Sequence, residues 1–293
     1  MIIKIYQRKF HVLEIVTQLT CALVLLYLLI PRRFASHYDY LLIEENHYMY
    51  KSQYRETVLR STDIQPGGEY YPEECRARYS TAIIVPYRQR EKQLNDFLIY
   101  MHNYLRQQRI HYRIFLVEQF DQKPFNRAKL FNIGSEIAAR YDFPCLVLHD
   151  VDLLPFNAGH IYACSEKPRH MCSALDIFRF NLPYKGLFGG VVAIRTSQFR
   201  FVNGMSNMFQ GWGGEDDDFF ERLNAGKISI CRFPPSYSEF TMLRHKKEMP
   251  NEFRVALLRS GPLRFHTDGL NSLVYKEMDT RIHSLFTHVL VET

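Results

Sequence analysis

Short β-rich runs and longer, helically spaced segments alternate through the middle of the chain. Residues 81–86 read TAIIVP, 113–119 read RIFLVEQ and 143–149 read FPCLVLH, each an apolar run of strand length. Between the first two, Leu94, Phe97, Leu98, Met101, Tyr104 and Leu105 recur at helical spacing within REKQLNDFLIYMHNYLRQQ. Between the second and third, NRAKLFNIGSEIAARY (126–141) reads as another amphipathic helix. Strand, helix, strand, helix, strand predicts parallel strands with right-handed crossovers, a Rossmann-like half of an α/β fold. Farther on, FFERLNA (219–225) predicts a helix that stops at Gly226. No internal repeat is apparent.

Two stretches break this alternation. Residues 12–30, VLEIVTQLTCALVLLYLLI, form a near-continuous apolar run, close to the roughly 20 helical residues that a bilayer core requires. Glu14 and Gln18 weaken its first turns. A cleavable signal peptide is the rival reading. Arg32 and Arg33 follow the run where small residues would mark a cleavage site, so a retained anchor is expected. Lys4, Arg8 and Lys9 before the run, against Arg32 and Arg33 after it, lean slightly toward a cytoplasmic N-terminus. Residues 34–78 are polar, rich in tyrosine and interrupted by QPGGEYYPEE, and they lack sustained periodicity. The expected organisation is a tail over 1–11, an anchor over 12–30, a stem or linker over 31–78 and a folded domain over 79–293.

Composition sets bounds on this picture. With 293 residues and 46% hydrophobic content, the chain can bury a sizeable core. Its formal charge of +6 is modest, and no block of like charge marks a nucleic-acid partner. The six cysteines show no CxxC spacing, which argues against a zinc cluster.

The chemistry gathers at strand ends and in a glycine-rich stretch. Asp150 and Asp152 close the third apolar run, and Pro86-Tyr87-Arg88-Gln89-Arg90 closes the first. In open α/β sheets ligands bind beyond the carboxyl ends of the strands. Acids beside arginines there suit a metal-bridged diphosphate, the acids holding the cation and the arginines meeting phosphate oxygens. The plainer alternative is that a D-x-D triplet merely opens a turn. In the second half, Gly211, Gly213 and Gly214 surround Trp212, the only tryptophan, and Glu215, Asp216, Asp217 and Asp218 follow. Acids in a first helical turn are favoured by the helix dipole alone. Four in succession repel one another, however, and an indole beside a carboxylate is what recognition of a pyranose needs.

With these stretches placed, the chain resembles the β-1,4-galactosyltransferase family, including its invertebrate β-1,4-N-acetylgalactosaminyltransferases. The resemblance covers roughly residues 72–292, through VPYRQR, FNRAKLFNIG, LHDVDLLP, RHMCSALD, LPYKGLFGG, NGMSN, GWGGEDDDF, TMLRH and DGLNSLVY. It implies a GT-A fold, a Rossmann-like domain with a mixed central sheet, behind a single N-terminal transmembrane helix. It also implies a type II protein of the Golgi membrane with a lumenal catalytic domain. The implied reaction is inverting transfer from a UDP-sugar with Mn2+.

Carried over by position, Asp152, Met242 and His245 match the metal ligands, a mixed set that favours a transition metal over magnesium. Pro86, Tyr87, Arg88, Arg90, Phe125, Arg127, Asp150 and Val151 match the nucleotide and diphosphate wall. Asp216 matches the catalytic base. Tyr184, Trp212, Gly213, Gly214, Glu215, Asp217 and Phe253 match the acceptor side, with Val255 beside Phe253. Galactose-transferring members carry tyrosine before FGG, where its hydroxyl crowds the donor's C2 substituent. Leu187 stands there in this chain, so UDP-GalNAc is the expected donor, with UDP-Gal as the alternative. GWGGEDDD resembles the members that use a terminal GlcNAc acceptor more than the xylose-directed branch, which has arginine in place of Gly214. Cys145 and Cys164 match a family disulfide. Cys75 matches half of another, and it is either free or paired with Cys172 or Cys231. Ile177 replaces a lysine that lies near the nucleotide in vertebrate members. A metal-dependent phosphohydrolase and a non-catalytic sugar-binding relative are the competing classes.

Overall fold

The sequence Ile64-Gln65-Pro66-Gly67-Gly68-Glu69-Tyr70, read above as part of a linker, folds as a hairpin of β1 (Ile64–Gln65) and β2 (Glu69–Tyr70). Gly67 and Gly68 turn the chain at φ +93° and +70°, in the region where a side chain is strained. The folded domain therefore starts earlier than residue 79: β2 pairs with the central sheet at Tyr112 and Arg113. The computed structural model describes residues 17–20, 22, 63–245 and 248–293. The expected tail, anchor and first part of the stem lie outside the described residues, apart from 17–20 and 22, which are helical. Among the described residues no helix is long and apolar enough to cross a membrane.

The alternating runs form the expected core. β3 (Ser80–Tyr87), α1 (Glu91–Arg106), β4 (His111–Gln119), α2 (Arg127–Ala139) and β5 (Cys145–His149) follow in order, and β3 lies parallel between β4 and β5. Successive residues of a strand face opposite sides of a sheet. Ile83, Val85, Ile114, Leu116 and Val147 accordingly meet Phe97, Leu98, Met101 and Leu105 of α1 on one face. Ala82, Ile84, Phe115, Val117, Leu146 and Leu148 meet Leu130, Phe131, Ile133 and Ile137 of α2 on the other. Each fully buried aliphatic or aromatic side chain contributes about 1.5–3 kcal/mol. Gly134 brings α2 close to the sheet, because a Cβ there would run into Ile84.

Beyond β5 the chain makes β6 (Leu153–Pro155), β7 (Arg169–His170), β8 (Ala174–Leu175) and β9 (Val191–Arg195). Next come α3 (Thr196–Phe201), α4 (Glu215–Ala225), β10 (Glu239–Met242), α5 (Arg254–Arg264), β11 (Lys276–Ile282) and β12 (Thr287–Glu292). The large sheet runs β1-β2-β4-β3-β5-β9-β7, with β12 parallel to β4 and β11 outside it. β9 is antiparallel to β5, and β7 to β9, so the sheet is mixed. A second sheet, β6-β10-β8, starts with the strand that follows β5 in the chain. Cys145 at the start of β5 is disulfide-bonded to Cys164, while Cys75, Cys172 and Cys231 are free thiols. α4 ends at Gly226 as expected, but the left-handed residue of its cap is Lys227, at φ +56°.

A buried ion network fastens the back of α4. Arg222, with a fully buried side chain, donates to Asp218 at 2.7 Å and to the Asp268 carbonyl at 2.6 Å, and Arg264 of α5 reaches the Asp268 carboxylate at 2.7 Å. Removing one partner of such a pair leaves a charge with no counterion and no water. Arg222→Met is expected to lower unfolding free energy by about 3–5 kcal/mol, measured by chemical denaturation.

Candidate active site

Register brings the carboxyl ends of β3, β4 and β5 to one edge, with Ile84 opposite both Phe115 and Leu148. Pro86 and Tyr87 end β3 and are buried. Arg88 then crosses to the segment before α2: its guanidinium lies 5.3 Å from the Phe125 ring and donates to the Lys123 carbonyl at 2.7 Å. Arg90 precedes α1 and lies 3.8 Å from Glu248. A flat, partly exposed wall of Arg88 and Phe125 is thus present where a nucleotide was expected.

The next strand end carries the acids. His149 is fully buried; its Nδ1 donates to the Asp150 carbonyl at 2.8 Å, and its Nε2 accepts from the Tyr162 hydroxyl at 2.9 Å. Burial pushes its imidazole down to about 4, so it stays neutral and braces the backbone. Val151 and Asp152 follow, both largely buried. Asp152 Oδ2 lies 2.6 Å from His245 Nε2, a contact between residues far apart in the chain. The antiparallel pairing of β10 with β6 puts Met242 opposite Leu153, and Leu243 N donates to the Asp152 carbonyl at 2.7 Å. The backbones of Asp152 and Met242 therefore meet along one seam, which the His245 side chain joins through Asp152. Among the described residues no third acid, imidazole or thiol joins Asp152 and His245 to make a cluster. A carboxylate and an imidazole in contact, with a thioether residue on the adjoining strand, fit a first-row divalent cation.

Asp176 joins the site through β10. Its carboxylate accepts from the Thr241 hydroxyl at 2.6 Å and from Met242 N at 3.2 Å, which holds the carboxyl end of β10 in place. Only its position inside RHMCSALD marks it, and no periodicity does. Its neighbour Ile177, at the position where the family resemblance implies a lysine in vertebrate members, is 51% exposed.

Arg127, the first residue of α2, connects these acids to the acidic turn of α4. Its Nε lies 2.5 Å from Asp150 Oδ1, an Nη 3.5 Å from Glu215 Oε1, and its guanidinium 4.6 Å from the Phe131 ring centre. Burial pushes Asp150 up to about 6 against the pull of Arg127. Burial, and then the neighbouring Asp216, raise Glu215 to about 7, and its Oε2 is buried without a hydrogen-bond partner. Asp216 is raised as well, by burial first and then by Asp217. Its carboxylate lies against Gly189, where a Cβ would overlap it. Gly190, at φ +76°, turns that loop into β9, and its carbonyl accepts from Asp150 N at 3.1 Å. The arrangement links metal-suited groups at the end of β5, through Asp150 and Arg127, to an acidic turn whose Asp216 has raised proton affinity.

Aromatic groups border the carboxylates. Tyr184 donates its hydroxyl to Asp217 at 2.7 Å. Trp212 is 55% exposed, with the Arg254 guanidinium 5.5 Å from its ring, and its backbone pairs with Met249 and Asn251. Gly213 and Gly214 take φ +102° and +98°, and Gly214 caps α4. Phe253, 71% exposed, and Val255 stand at the start of α5, near the pinned Trp212 segment. Leu187 lies in the loop between Tyr184 and Gly189, partly buried.

The N-terminal region of glycosyl transferase group 7 matches residues 37–165, and the N-terminal domain of galactosyltransferase matches 169–246. Mouse beta-1,4-galactosyltransferase 1 is 40% identical over 237 residues, which cover 80% of this chain and 59% of that protein. The chain thus spans about three-fifths of the length of the curated relatives it matches. The catalytic domain of Drosophila beta1,4galactosyltransferase 7 in complex with xylobiose superposes with a TM-score of 0.64 at 28% identity, covering 73% of this chain and 94% of that one. A mutant of the same Drosophila enzyme, solved with manganese, UDP-Gal and xylobiose, gives a TM-score of 0.63 at 26% identity, covering 73% and 93%. These likenesses show a mixed α/β glycosyltransferase fold of the GT-A kind. By both matches and by its relatives, the chain belongs to the β-1,4-galactosyltransferase family.

Proposed function

We propose that this protein is an inverting, UDP-sugar-dependent β-1,4-glycosyltransferase that moves GalNAc to a terminal GlcNAc, with Mn2+ as its cofactor. The observation that carries the reading is the meeting of Asp152 and His245 beside β10, with Arg127 tying Asp150 to Glu215 and Asp216 resting against Gly189. The Drosophila relative binds manganese and UDP-Gal, and the donor set here suits the same ion. Asp152, Met242 and His245 would hold it. When bound, the cation supplies positive charge opposite the departing diphosphate. A single-pass type II placement in the Golgi membrane accompanies this reading, supported by the apolar run at 12–30.

The chain's own residues divide the remaining work. Arg88 and Phe125 provide the charged and aromatic wall for the nucleotide. Trp212 and Tyr184 supply flat faces for the acceptor ring, and Glu215 and Asp217 supply carboxylates for its hydroxyls. Asp216, once ionised, takes the proton from the attacking 4-hydroxyl. Its raised proton affinity makes it a better base than an exposed aspartate, provided it is deprotonated at the working pH. Leu187 lacks the hydroxyl that would crowd a C2 acetamido group, which supports UDP-GalNAc as donor over UDP-Gal. Gly214, where the xylose-directed branch carries arginine, supports GlcNAc over xylose as acceptor; its φ of +98° and the Phe209 ring, 2.8 Å from a Cβ built there, disfavour a side chain in this chain.

Rates with UDP-GalNAc and UDP-Gal on a GlcNAc-terminated acceptor test the donor assignment. The wild type is expected to favour UDP-GalNAc, and Leu187→Tyr to move the ratio toward UDP-Gal by about 10-fold; a galactose-preferring wild type refutes the choice. Asp216→Asn should lower kcat by about 10²–10⁴ with the fold intact. Because the Asp216 carboxyl sits above its ordinary value of 3.8, activity should be lost on acidification through a midpoint above that value, as the base becomes protonated. Chelation should abolish transfer and added Mn2+ restore it, whereas His245→Ala should weaken Mn2+ binding measured by calorimetry.

A further inference from the structure

The loop from Tyr184 to Gly190 carries two groups that matter to the proposed reaction: Leu187, and the Gly189 backbone against which the Asp216 carboxylate rests. Tyr184 and Lys185 are exposed, and the loop belongs to no strand or helix. Such a segment needs outside partners to hold one conformation. Alternate carbonyls along it are held by side chains from distant parts of the chain. Arg232 Nη2 donates to the Lys185 carbonyl at 2.8 Å and to the Leu187 carbonyl at 2.7 Å. Arg232 Nε donates to His170 Nδ1 at 3.1 Å, and His170 Nε2 donates in turn to the Gly189 carbonyl at 3.1 Å. Cys172 Sγ lies 3.2 Å from that same carbonyl and accepts from Val191 N at 3.0 Å.

The protonation states allow every one of these bonds. His170 is fully buried, and burial followed by the Arg232 charge pushes it down to about 3. A neutral ring whose Nδ1 accepts must carry its proton on Nε2, the atom facing Gly189. Burial pushes the Cys172 thiol up to about 12, so it keeps the proton it shares with the Gly189 carbonyl. Lysine could not take the place of Arg232, because its single ammonium lacks the fixed fork that serves two carbonyls and an imidazole together.

We infer that Arg232, with His170 and Cys172, is a positioning device that locks the backbone from Lys185 to Gly189 and so sets donor-sugar selectivity at Leu187 and the seat of Asp216. The inference rests on the glycosyltransferase reading above. The three side chains act through the loop they hold, without touching the sugar.

Full-length wild type, Arg232→Gln and Arg232→Lys would be assayed for kcat and KM with UDP-GalNAc and UDP-Gal, alongside amide hydrogen exchange of residues 184–190. For Arg232→Gln, the ratio of kcat/KM between donors is expected to shrink about 10-fold, with faster exchange confined to that loop. Arg232→Lys should recover part of the ratio, since an ammonium still reaches one carbonyl. If Arg232→Gln fails to fold, Cys172→Ala, which removes one group from the Gly189 carbonyl, should shift the ratio in the same direction by less. Equal loss with both donors, or unchanged exchange in the loop, would overturn the positioning role. A wild type inert with both donors would instead overturn the glycosyltransferase reading itself, so the two failures are told apart.

Discussion

Arg127 neutralises carboxylates that would otherwise drive the site apart. Asp150 and Glu215 lie 2.5 and 3.5 Å from its guanidinium, and Asp216 is near enough to raise its proton affinity further. Unit charges about 4 Å apart at a protein surface interact by about 4 kcal/mol, so unopposed acids here would separate or stay protonated. The guanidinium can answer them because it is the first residue of α2, packed over Phe131 and aimed at the edge where β5 ends. Two halves of the chain, the parallel strands and the acidic helix α4, are thereby held at a fixed distance. The proposed chemistry needs that distance, with a leaving group on one side and a base on the other.

The metal-suited groups depend on a second constraint, the junction of the two sheets. β6 follows Asp152 directly, and β10 returns from far along the chain to pair with it. Backbone hydrogen bonds fix that pairing, and the Asp176 carboxylate holds the end of β10 through Thr241 and Met242. A slip of one residue would turn Met242 to the opposite face. The seam therefore fixes Asp152 and Met242, two of the proposed ligands, through backbone register.

Rigidity around the proposed acceptor side comes from the start and the buried face of one helix. At its amino end Gly214 allows the acidic turn to start abruptly from the Trp212 loop. Along its buried face Asp218, in the first turn, and Arg222, one turn later, are packed with Asp268 and Arg264. The exposed tryptophan is thus mounted on a segment whose far side cannot move independently of the core. The proposed contact of this indole with a sugar requires that it stay exposed, and its loop holds it there without burying it.

The periodicities of β3, α1, β4, α2 and β5 were legible because each segment buries one repeating face, and that need is written residue by residue. So were the acids at the end of β5 and the glycine-flanked Trp212, since unusual residues at a strand end or a helix start are visible locally. The hairpin at Ile64–Tyr70 was not, because strands of two residues carry no period. Nor did any local signal join Asp152 to His245, assign Asp176 to β10 or bring Arg232 to the Leu187 loop; motif resemblance alone paired the first two. By itself the sequence determined which segments would be strands and helices and which residue types would cluster at their ends. Tertiary structure decided which distant side chains share an ion, a carbonyl or a proton, because those contacts span intervening sheets and have no footprint in local spacing.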